Sequence, residues 1–92
     1  MLELRLSSGQ IVSFDGRVVE VFAPDGACSR LHVAHLDAVR ADAADGASTL
    51  TLRAGGVRVQ FAATESRACQ RLLAAIADAQ AAESRLAGRV AG

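Results

Sequence analysis

The chain contains no lysine. Its ten basic residues, all arginine, are balanced by ten acidic ones, so the broad basic footprint that nucleic acid or an anionic membrane surface requires is missing. Neither is an expected partner, and any anion site must be local. Long apolar runs are absent too: nothing approaches the roughly 18 to 20 residues that span a bilayer. Glu3 and Arg5 place charges within the first five residues, which is unlike a secretion signal and implies a cytoplasmic protein. Cysteine occurs only at Cys28 and Cys69, too few for a disulfide scaffold, so both thiols are expected to be reduced. There is no recognisable serine-nucleophile elbow and no Gly-rich loop leading into a helix. The expectation is a non-enzymatic protein without a cofactor.

What is present is punctuation. Ninety-two residues make one domain that buries roughly 60 to 70% of its unfolded surface, with no room for a second core. Asp15-Gly16 and Asp25-Gly26 interrupt a Val/Phe-rich stretch, and each pair marks a hairpin, expected as a type I′ turn with Asp and Gly at its centre. Residues 11–14 and 17–23 become antiparallel strands, and 28–33 returns after the second turn. Upstream, Leu2, Leu4 and Leu6 alternate with Glu3 and Arg5, the period of a half-buried strand. A weaker run from Leu36 to Ala43 carries a fifth strand towards Asp45-Gly46. Leu50 and Leu52, then Val57, Val59 and Phe61, form a last hairpin about Gly55-Gly56, for seven strands in all.

The periodicity changes at Thr64, whose hydroxyl is placed to cap a helix while Glu65 sits at the positive end of its dipole. Cys69, Leu72, Leu73 and Ile76 then repeat at helical spacing, so one apolar face docks on the sheet. The stripe thins after Ala79 and Gln80, and the helix is expected to fray beyond Glu83. That gives a single domain over residues 1–84 and a tail over 85–92. The expected core is Leu4, Val19, Val21, Leu31, Leu50, Leu52, Val59, Phe61, Leu72 and Ile76.

Seven short antiparallel strands followed by an amphipathic helix, carried by "SFDGRVVEVF", "SRLHVAHLDAV", "LTLRAGGVRVQF" and "SRACQRLLAAIADA", resemble the small pleckstrin-homology-like domains of many actinobacterial proteins. The resemblance covers residues 2 to 83. It implies an α+β fold, a seven-stranded antiparallel barrel or roll capped by a C-terminal helix, and a role as a protein-interaction or scaffold module. It also implies that the sixth-to-seventh hairpin lies at the family's ligand end. Family members that bind phosphoinositides carry a basic cluster on the first two strands and their loop. This chain offers only Arg5 followed by Ser7-Ser8-Gly9-Gln10.

Four groups of residues are candidates for function. Arg53 and Arg58 lie opposite each other if Gly55-Gly56 is a two-residue turn, and with Arg5 they form the candidate contact for an anionic headgroup or phosphate. Val18 and Phe22 lie on the face opposite Val19 and Val21, separated only by Glu20, so the third strand is apolar on both sides. They are the candidate surface for a protein partner or for self-association. Cys28, His32, His35 and Asp37 supply metal-ligand types, but strand alternation sends His35 away from Cys28 and His32. Ordinary surface histidines are expected there, with no metal. Cys69, on the apolar helix stripe, is expected to pack as a small hydrophobe.

Overall fold

The structure is a computed structural model and describes residues 1–42, 48–53 and 56–91. Among these, seven strands form two antiparallel sheets. β1 (Leu2–Arg5), β2 (Ile11–Phe14), β3 (Val18–Phe22) and β4 (Cys28–His32) follow one another in the first. β5 (Ala38–Asp42), β6 (Ser48–Leu52) and β7 (Val57–Phe61) do so in the second. A 3-10 turn, Val33–His35, joins the sheets, and a second, Ala63–Glu65, leads into helix α1 (Ser66–Ala91). The meander follows from local chemistry, since each link between neighbouring strands within the first sheet is a short turn with a glycine at positive φ.

The turns differ from the type I′ expectation in an instructive way. Val19 lies opposite Phe14, so the centre of the first turn is Gly16 and Arg17 rather than Asp15 and Gly16. Asp15 instead precedes it and accepts the amides of Arg17 (2.9 Å) and Val18 (2.8 Å) on Oδ1. No described residue other than glycine has positive φ, because Asp gains more by hydrogen-bonding forward than by entering a strained conformation itself. The β3–β4 link is a three-residue loop, Pro24-Asp25-Gly26, closed by the Ala23 amide on the Ala27 carbonyl at 2.8 Å. The β1–β2 link, Ser7-Ser8-Gly9, is built the same way, with the Leu6 amide on the Gln10 carbonyl at 2.9 Å. The expected turns at Asp45-Gly46 and at Gly55 fall outside the described residues.

The sheets do not close into a barrel. No ladder joins β1 or β2 to β7; a side chain spans the gap instead. The Gln10 carboxamide donates to the Arg58 carbonyl and accepts the Gln60 amide, both at 2.9 Å. The architecture is therefore α+β, two facing sheets with a C-terminal helix.

Between the sheets and α1 lies one core. Of the ten residues expected there, nine are buried, and Leu4 is half-buried against them. Leu6, Val12, Phe14, Val33, Leu36 and Cys69 complete it. Helix spacing explains Cys69, Leu72 and Ile76, which present one stripe to the strands. Gln80 ends that docking by donating its side-chain amide to the Val33 carbonyl (3.2 Å) and the Leu36 carbonyl. The helix nevertheless runs on to Ala91, past the expected fraying at Glu83. The Ala-, Leu- and Arg-rich sequence with no proline keeps the backbone helical after its packing face is spent, and Leu86 is left exposed.

Candidate functional site

The outer face of the first sheet is the surface that the ladder registers assemble most clearly. Its side chains lie in rows across the strands. Arg5, Ile11, Phe22 and Cys28 are successive cross-strand partners, and so are Glu3, Ser13, Glu20 and Arg30. A third, shorter row pairs Val18 with His32. Phe22 is 36% exposed, while Ile11 and Val18 are half-buried. Val18 and Phe22 thus share a face, as the alternation implies, but the Glu20 row separates them. The apolar neighbour of Phe22 is Ile11, across the ladder.

Around this apolar row the charges are evenly divided. Arg5 pairs with Glu3 at 3.1 Å, and Arg30 approaches Glu20 at 3.9 Å. The Cys28 thiol also faces Glu20, at 3.9 Å. Such exposed pairs contribute little to stability, yet they fix where each sign stands. Sequence alternation along β3 singled out Val18 and Phe22 but missed Ile11, Glu3, Glu20 and Arg30. They become visible only once the hairpin registers are known, and those depend on turn lengths that the Asp-Gly pairs misstate by one residue.

Arg53 and Arg58 are not the directly opposed pair that a two-residue turn at Gly55-Gly56 implies. Arg58 lies opposite Thr51, with Leu52 opposite Val57, so Arg53 is not its cross-strand partner. The residue that Arg53 meets is Gly56, whose amide reaches the Arg53 carbonyl at 3.3 Å. Arg53 instead pairs with Asp37 at 3.6 Å, and its amide donates to the Asp37 carbonyl at 2.8 Å. Arg5 stands on the other sheet, paired with Glu3.

His32 and His35 have ring centroids 6.2 Å apart, and His32 Nδ1 accepts the Ala34 amide at 3.1 Å, capping the 3-10 turn. Among the described residues, no three His, Cys, Asp or Glu side chains converge as metal ligands do. An open groove of about 410 Å³ runs beside the helix, lined by Val33, Ala34, Gln80, Glu83 and Ser84. Its single charged side chain is that of Glu83, and the backbone carbonyl of Val33 is already engaged by Gln80.

Two polar clusters at the start of α1 serve the fold. Glu65 accepts the Ala62 amide, the Ser7 amide and the Ser7 hydroxyl, each at 2.9 Å. Donation from Ala62, helped by Ser7, holds its carboxyl below the usual glutamate range. The role expected of Thr64 thus falls to Glu65. Arg40 lies opposite buried Leu50 and so points inward from β5, over the Phe61 ring (5.6 Å to its centroid) and onto the Ser66 hydroxyl. Among the described residues no helix is long and apolar enough to cross a membrane. No family model, no curated protein and no solved structure matches the chain.

Proposed function

We propose that the chain is a pleckstrin-homology-like, non-enzymatic protein-interaction module, and that the outer face of its four-stranded sheet is the docking surface. The order of elements supports the first part: four meandering strands, three more in a second sheet, then a C-terminal helix across the core. The observation that carries the second is Phe22. It lies exposed beside Ile11 in an apolar row that no described segment covers, flanked by charges of both signs. A surface of that composition is suited to a protein rather than to a polyanion. The competing reading, an anionic headgroup or phosphate held by Arg53 and Arg58 with Arg5, has weaker support. Arg53 and Arg5 already face carboxylates.

The test uses the full chain as immobilised bait in three forms: wild type, Phe22→Ser, and Arg53→Ala with Arg58→Ala. A protein retained by the wild type and by the double arginine variant, but lost from Phe22→Ser of unchanged melting temperature, supports the reading. Binding of inorganic phosphate or anionic vesicles that depends on the two arginines, with no protein lost from Phe22→Ser, overturns it.

A further inference from the structure

Resting on that docking face, we infer that its partner is a second copy of this chain, stacked face to face with the two-fold axis parallel to the strands. The registers make this a matter of geometry. Two identical four-stranded faces related by such an axis set β1 against β4 and β2 against β3, with each row lying over itself in reverse. The row Glu3, Ser13, Glu20, Arg30 then meets Arg30, Glu20, Ser13, Glu3 of the second copy. Glu3 therefore faces Arg30 at both ends of the row, and Ser13 faces Glu20. The row Arg5, Ile11, Phe22, Cys28 is likewise self-complementary: Ile11 covers Phe22, and Phe22 covers Ile11.

The other in-plane axis, across the strands, gives the opposite result. It sets each strand over its own copy, so Glu3, Glu20 and Arg30 stand near their own equivalents, like on like. Aligned packing of two twisted sheets keeps their strand directions within about 30° of each other, which both arrangements allow, so the charges decide between them. Four strands at about 4.8 Å spacing and five residues at about 3.3 Å give a face of roughly 19 by 16 Å, about 300 Å² in projection. That lies well below the roughly 800 Å² per partner of a standard interface, so the dimer is a weak one.

The test is analytical ultracentrifugation of the purified full chain over a concentration series, on the wild type, Glu3→Arg, Arg30→Glu and the combined swap. Each single reversal opposes like charges at both symmetry-related sites and should weaken association by roughly tenfold or more. The swap should restore it. Rescue has one source, because Glu3 and Arg30 stand on opposite edges of the same sheet, three strand spacings or about 14 Å apart, too far to pair within one molecule. A measurement on the wild type alone accompanies it: Cys28, exposed in the monomer and at the end of the covered row, should react more slowly with a thiol reagent as protein concentration rises. A species that stays monomeric with a concentration-independent Cys28 rate overturns the second copy as partner. So does a dimer indifferent to the charge reversals. A different protein captured through Phe22 then still upholds the interaction-module reading, whereas a Phe22→Ser bait that loses nothing removes that reading itself.

Discussion

The side-chain amide of Gln10 occupies the place on β7 where a neighbouring strand's peptide group would stand, accepting the Gln60 amide and donating to the Arg58 carbonyl at 2.9 Å each. Two backbone groups on the outer edge of β7 are thereby satisfied without a ladder, and that edge is denied to other chains. Gln10→Ala should lose about 1 to 3 kcal/mol of stability, the two hydrogen bonds less what water restores. It should also raise the tendency to self-assemble through β7. Urea denaturation gives the first quantity, and light scattering on prolonged incubation the second. An unchanged midpoint would mean that water serves this edge as well as Gln10 does.

Glu65 fastens the β1–β2 loop to the start of α1, and its contribution is pH-dependent with a definite sign. Its carboxyl is lowered from 4.5, first by the Ala62 amide and then by Ser7. A carboxylate lowered in the folded state binds protons more readily when unfolded. Its stabilisation is therefore full above the unfolded value and disappears as pH falls through the folded one. Glu65→Gln should be less stable than the wild type near neutrality, by about 1 kcal/mol for a weakened capping contact. The gap should narrow as pH falls below the usual glutamate range and close once the folded carboxyl is itself protonated. Denaturation midpoints measured at neutral and acid pH test this, and a gap that persists in acid would refute it.

Those two contacts show where the sequence is legible and where it is not. Alternation placed the strands and nine core residues because burial on one face imposes a period that any single strand displays. Register is different, since it depends on a turn's residue count. Asp15 can stand inside a turn or just before it; the second position gives it two amide hydrogen bonds and shifts every partner on β3. The same one-residue ambiguity separated Arg53 from Arg58 and hid the row that joins Ile11 to Phe22. Arg40 was illegible for another reason. An arginine on a weakly patterned strand reads as exposed, yet here it packs inward over Phe61 and donates to Ser66, groups far away in the chain.

The two three-residue loops of the first sheet touch. A methyl group built on Gly9 would come within 2.9 Å of Pro24 Cγ, and Gly9 has φ of 91°, where a side chain is strained in any case. Gly9→Ala should therefore destabilise the domain by about 1 to 2 kcal/mol. Gly26→Ala, at φ of 93° but with open space around its Cβ, should lose only the backbone share. Thermal melts of the two variants separate strain from contact, and equal losses would mean that Pro24 yields freely.

The two thiols offer the sharpest check on which face the helix covers. Cys28 is exposed on the outer face of the first sheet, while Cys69 is buried with Leu72 and Ile76 under the helix stripe. Burial pushes the Cys69 thiol up, and the neighbouring Glu65 carboxylate adds to the shift; Arg40 opposes it. The thiolate is the reactive species, so Cys69 is protected twice, by access and by protonation, and should be modified only when the domain opens. In dilute protein Cys28 should label within the mixing regime of a fast thiol reagent, and Cys69 at a rate set by unfolding. The Cys69 rate should rise with denaturant and in any variant that weakens the core, such as Phe61→Ala, for which a loss of about 3 to 5 kcal/mol is expected. Equal rates for the two thiols in the native protein would place a different stripe of α1 against the sheets.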